Sequence, residues 1–85
     1  MIMRRGKTEI MADILKTCRE DGAGKTRIVY QANLNFRTVQ PYLDLLEKRG
    51  LLEIRKTGNR DLFVMTEKGD TFIKNAQSMS KMLEG

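Results

Sequence analysis

The chain has 85 residues, 40 % of them hydrophobic and 32 % charged. That is enough for one domain with a modest core and too little for a nucleotide fold with a separate substrate site. Its 16 Lys and Arg outnumber 11 Asp and Glu, giving +5 with no His, a single Cys and no apolar run near the roughly 20 residues that span a bilayer; this excludes an internal disulfide, argues against a metal site or histidine catalysis, and suits a polyanionic partner.

At the N-terminus Arg4, Arg5 and Lys7 form a basic arm, without the apolar stretch that a signal peptide needs behind its charges. Ile10, Met11, Ile14, Leu15 and Cys18 then follow at spacings of one, three, one and three, the stripe of an amphipathic helix. Thr8 is placed to cap that helix, and Asp21-Gly22-Ala23-Gly24 to break it. Cys18 belongs to the stripe and is read as core filler. "KTRIVYQAN" predicts a short second helix with Ile28, Val29 and Ala32 inward, ending at Asn33-Leu34-Asn35.

"FRTVQPYLDLLEKRG" predicts the third helix. Val39, Leu43 and Leu46 form its inner stripe, Phe36, Tyr42 and Leu45 flank it, Asn35 is its expected cap, and Gly50 its stop. Pro41 falls about six residues in, where it either bends or frays the first turn or marks a later helix start. "LLEIRK" and "DLFVM", with "TGNR" between them, predict a β-hairpin with a Gly-Asn turn. Thr66 is the expected cap of a last helix, in which Phe72, Ala76, Met79 and Leu83 step by four, three and four as a heptad seam that Ile73 and Met82 widen.

The stretch "EDGAGKTR" invites comparison with a phosphate-binding loop. Such a loop needs a glycine five residues before Gly24, where this chain has Arg19, and it needs a strand where the pattern is helical. Lys25, Thr26 and Arg27 instead open the second helix. A helix start with free N–H groups and two basic side chains suits an anion, and that anion can be a phosphate of a duplex.

Two helices joined by a tight turn and followed by a hairpin form a winged helix-turn-helix. The expected fold class is therefore mostly α (α+β): three helices, a two-stranded β-hairpin wing and a C-terminal dimerisation helix. Residues 1–66 are the expected DNA-binding unit and 67–85 the C-terminal helix of the same domain. The second helix of the unit fits the major groove. Its outer face carries Arg37, Thr38, Gln40, Pro41 and Asp44, where Arg suits guanine, Gln suits adenine and Thr a thymine methyl. Arg55, Lys56, Asn59 and Arg60 sit at the wing tip, toward the backbone or minor groove. The expected DNA-binding set is completed by Lys25, Thr26, Arg27 and Asn35.

"KTRIVYQANLNFRTVQPYLDLLEKRGLLE", with the later "FVMTEKGDTFI", resembles an archaeal winged helix-turn-helix family that includes the small ten-kilodalton chromatin-associated DNA-binding proteins. The resemblance runs from about Lys7 to Ile73 and rests on the "KTRI", "ANL", "YL-LL---GLL" and "T-KG" elements together. It implies a winged helix followed by a C-terminal helix that pairs as an antiparallel coiled coil, a homodimer on double-stranded DNA. It also implies that Lys25 and Arg27 lie near phosphate and that Arg37 and Gln40 lie on the reading helix.

A monomer could instead fold the last helix back onto the stripe of the first, and one helix can do both. The expected role is a transcription regulator or a chromatin-associated architectural protein, cytoplasmic and nucleoid-associated, without metal or cofactor. The other candidate is a winged-helix protein-interaction module, which Asp44 and Glu47 on the reading helix favour. An enzyme would need a ligand-sized cavity, and none is expected.

Overall fold

The periodicities of the sequence become four helices and one hairpin. The computed structural model describes the backbone of residues 6–84 and the side chains of residues 6–76. Its elements are α1 (Lys7–Thr17), α2 (Lys25–Gln31), α3 (Phe36–Lys48), β1 (Leu52–Thr57), β2 (Arg60–Met65) and α4 (Glu67–Glu84). Arg4, Arg5 and the side chains of Met79, Met82 and Leu83 lie outside the described residues.

The start of α1 differs from expectation. Gly6, in extended backbone, is the N-cap, so Thr8 lies inside the first turn and caps nothing. The two helices of the central unit end in the same way. In α2, Leu34 N–H donates to Val29 O at 2.9 Å and Asn33 N–H to Tyr30 O at 3.3 Å. In α3, Leu51 N–H donates to Leu46 O at 2.9 Å and Gly50 N–H to Glu47 O at 3.0 Å. This is the paired Schellman pattern, which needs a left-handed residue after the cap. Asn33 supplies it with φ 55° and Gly50 with φ 77°.

Asn35 caps α3, its Oδ1 accepting from Thr38 N–H at 2.7 Å. The helix runs unbroken from Phe36 through Pro41, which decides between the two positions open for its start. Pro41 has no N–H, so the Arg37 carbonyl lacks the donor that a helix normally gives it.

The hairpin pairs Leu52 with Met65 through to Thr57 with Arg60. Gly58 and Asn59 form the two-residue loop, and positive φ at Gly58 alone is the II′ pattern. A third backbone segment joins β2: Ala23 and Phe63 exchange two hydrogen bonds of 2.9 Å. Gly22 turns the chain toward this bridge with φ 84°, and a Cβ there would stand 2.9 Å from Phe63 O.

The core draws on every element, with Ile14, Leu15, Ile28, Val39, Leu43, Leu46, Leu52 and Ile73 fully buried or nearly so. Ile73, expected only to widen a seam on α4, lies in this cluster with the α1 residues Ile14 and Leu15, and Phe72 packs against it. The first half of α4 therefore folds back over the domain's own core. Its start is locked to the hairpin base. Thr66 Oγ1 donates to Gly50 O at 2.6 Å and accepts from Gly69 N–H at 3.1 Å, while Thr66 N–H donates to Leu51 O.

Candidate nucleic-acid interface

α2 begins with Lys25, Thr26 and Arg27, after an extended Gly24 that offers no side-chain cap. Its first N–H groups are thus left to solvent or to an anion. The outward side of α3 carries Arg37, Thr38, Gln40, Pro41 and Asp44, all exposed. Arg37, Pro41, Asp44 and Lys48 recur at three and four residues and oppose the buried stripe Val39, Leu43 and Leu46.

Gln40 sits on the flank of that ridge and turns toward α2. Lys25 Nζ donates to Gln40 Oε1, and Gln40 Nε2 donates to Asp44 Oδ1 at 2.8 Å. The structure thus brings Lys25 and Gln40 together, one expected on phosphate and the other on a base. Asn35 has its side-chain oxygen occupied as a cap, so its acceptor serves α3 first.

The wing cations divide between the two faces of the hairpin. Cross-strand partners share a face, and faces alternate along each strand. Arg55, opposite Leu62, and Arg60, opposite Thr57, project on one side. Lys56 projects on the other and stands opposite Asp61. All three are exposed, as is Asn59 in the turn.

Between the start of α2, α3 and the hairpin opens a groove of about 810 Å³. Lys25, Arg27 and Arg60 line it together with Gln40, Asp44, Glu47 and Asp61, over apolar Leu43, Ile54 and Phe63. This space is an open groove between the three elements and not an enclosed cavity. The Ala23–Phe63 bridge holds α2 and the hairpin as two walls, and α3 forms the third.

Two aromatic residues are exposed, and one of them, Phe36, was expected to flank the inner stripe of α3. Tyr30 on α2 is 79 % exposed, and Phe36, the first residue of α3, is 52 % exposed. Helical spacing does place Phe36 on the Gln40 flank, four residues away, and that was the available signal. Cys18 is buried in the core, and burial pushes its thiol up to about 12 from 9.0, with Arg27 pulling the other way. Among the described residues no three His, Cys, Asp or Glu side chains are grouped to hold a metal ion, and no helix is long and apolar enough to cross a membrane.

The family model described as "Winged helix-turn-helix" matches residues 4–84. The chain belongs to this winged helix-turn-helix family. Among solved structures it is similar to Sso10a-2, a DNA-binding protein from Sulfolobus solfataricus, with 38 % identity, a TM-score of 0.84, and coverage of 94 % of this chain and 83 % of that one. A MarR-family transcriptional regulator from Rhodococcus sp. RHA1 shares the fold at 21 % identity and a TM-score of 0.75, covering 88 % of this chain and 56 % of that one. Two uncharacterized proteins of Methanocaldococcus jannaschii are 35 % and 28 % identical over 66 and 81 residues, which are 78 % and 95 % of this chain. The chain spans 64 % and 36 % of their lengths, less than two thirds of either. The archaeal winged-helix resemblance read from "KTRI" through "T-KG" thus agrees with the family match and with archaeal relatives.

Proposed function

We propose that this chain binds double-stranded DNA, as a transcription regulator or an architectural chromatin protein, with α3 in the major groove and the hairpin against the backbone or minor groove. One observation carries the proposal. Gln40, Asp44 and Glu47 of α3 share a groove with Lys25 and Arg27 at the start of α2 and with Arg60 of the wing, so a helix that fits a major groove has cations on both sides of it. The 38 % identity to a protein described as DNA-binding supports it.

In this reading Lys25, Thr26, Arg27, Arg55, Lys56, Asn59 and Arg60 meet phosphate or the minor groove. Arg37, Thr38, Gln40 and Pro41 face the bases, with Asn35 ordering the helix start. The protein works without catalysis, metal or cofactor and is associated with the nucleoid. A second copy pairs along the heptad positions Phe72, Ala76, Met79 and Leu83, a seam that starts at Phe72 on the turns covering the core and continues beyond them, and a two-fold dimer separates its half-sites by roughly 34 Å or multiples of it.

The test is a fluorescence-anisotropy titration of a random-sequence duplex at several salt concentrations, with the protein shown to be folded. Tight binding that weakens steeply with salt is the expected result. Arg27→Ala should weaken all sequences alike and lower the salt slope by about one, while Arg37→Ala should also relax preference at one base position. A folded protein that binds no duplex at low salt overturns the proposal and favours a protein partner. Light scattering on the same sample gives the mass, and a monomer at working concentration removes the dimer.

A further inference from the structure

Gln40 is held from both ends: Lys25 Nζ donates to its Oε1, and its Nε2 donates to Asp44 Oδ1 at 2.8 Å. An ammonium group only donates, and an ionised carboxylate only accepts. Turning the amide by 180° would set its nitrogen against Lys25 and its oxygen against Asp44. The two neighbours therefore fix which end of the amide is which.

We propose that Asp44 is a positioning residue which, by fixing the order of donor and acceptor that Gln40 presents, determines part of the protein's DNA sequence preference. This rests on the DNA-binding reading above. A primary amide has two acceptor lone pairs and two N–H donors. The relay uses one of each, which leaves one acceptor and one donor. That pair complements adenine in the major groove, where N6–H donates and N7 accepts. Lys25 keeps two further N–H donors, enough to hold a phosphate without releasing Gln40.

Asp44 also places a negative charge on the face that meets phosphates, so it lowers affinity for every duplex alike. A residue that weakens general binding and sharpens choice acts as a specificity device, since preference depends only on the difference between sequences. Gln40 and Asp44 are exposed, so substituting either leaves the core intact.

The experiment selects bound duplexes from a randomised pool, sequences them, and titrates an unselected duplex in parallel. It uses the full chain as wild type, Asp44→Asn, Asp44→Ala and Gln40→Ala, each checked for folding by circular dichroism. The wild type should prefer adenine at one position by about tenfold, and Gln40→Ala should flatten that position. Asp44→Asn loses the charge and gains a donor, so its side chain no longer imposes one order on Gln40; it should bind unselected DNA more tightly and lose much of the preference. Asp44→Ala should gain similarly in general affinity, yet fall below about threefold preference at the position that Gln40→Ala flattens. The proposal is overturned if Asp44→Ala keeps the wild-type preference, if Asp44→Asn keeps it in full, or if the wild type favours no base anywhere. A wild type that binds no duplex fails the earlier titration and removes the DNA-binding reading itself, an outcome distinct from these three.

Discussion

Gly69 stands where the chain has no room for a side chain. A Cβ there would lie 2.5 Å from Leu51 O and 2.7 Å from Met65 Cγ. Gly69→Ala should therefore lower stability by about 1–3 kcal/mol, although alanine is the better helix former. Urea unfolding should show a lower midpoint with an unchanged slope. Nothing near Gly69 in the chain announces this, because the obstacle is a carbonyl contributed by the turn after α3. Val39, Leu43 and Leu46 show the opposite case: their burial follows from helical spacing alone. The tie between Lys25 and Gln40 spans fifteen residues and depends on how α2 packs on α3, so no local pattern reveals it.

Cys18 supplies a second test. Its thiol is neutral in the fold, with a pKa pushed up to about 12 against 9.0 for the ordinary group. The folded state therefore holds its proton longer than the unfolded chain does. The stability due to the neutral buried thiol is complete below pH 9.0 and is lost as pH rises toward 12. Over that window it should fall by about 1.4 kcal/mol per pH unit. Urea melts between neutral pH and pH 11 should show that loss, and Cys18→Ala should flatten it. At pH 8 an aromatic disulfide reagent should react with Cys18 only once urea unfolds the protein.

Within α3 the anomaly is Pro41. The helix passes through it without interruption, held at one end by the Asn35 cap and at the other by the Gly50 turn. A proline inside a helix costs about 3 kcal/mol relative to alanine, and alanine forfeits up to about 1 by loosening the unfolded chain. Pro41→Ala should thus stabilise the protein by about 2 kcal/mol, read as a higher urea midpoint. The sequence exposed the conflict but left two helix starts open, because a cap at Asn35 and a proline at the first position are both good beginnings. The wing cations, read from the sequence as one group, are divided by the strand register. Arg55 and Arg60 share a face, while Lys56 stands opposite Asp61. Arg55→Ala and Arg60→Ala should each reduce the salt slope of DNA binding by about one. Lys56→Ala should reduce it less, since Asp61 already faces that charge; equal slopes for all three variants would count against this division.

For the whole molecule, the architecture was legible because each element announced itself: a stripe, a cap, a turn, a seam. The single bridge between Ala23 and Phe63 did not, since one residue pair has no period. That bridge nevertheless sets the groove, and with it the meeting of α2, α3 and wing on one side of the protein. The +5 charge alone would have suited many roles. Its placement at the start of α2 and on the wing, on either side of α3, is what favours the DNA-binding reading proposed above.

The junction of wing and α4 has a mechanical consequence. Thr66, Leu51 and Gly69 leave no hinge between them, since hydrogen bonds and a close backbone approach fasten the helix to the hairpin base. If two copies join through α4, the assembly behaves as a rigid caliper whose jaws are the reading heads. Its gauge is then written in helix length. Each residue inserted into α4 advances the jaw by about 1.5 Å and rotates it by about 100°, so a lineage could retune which DNA phase it grips without touching a single residue that meets the duplex.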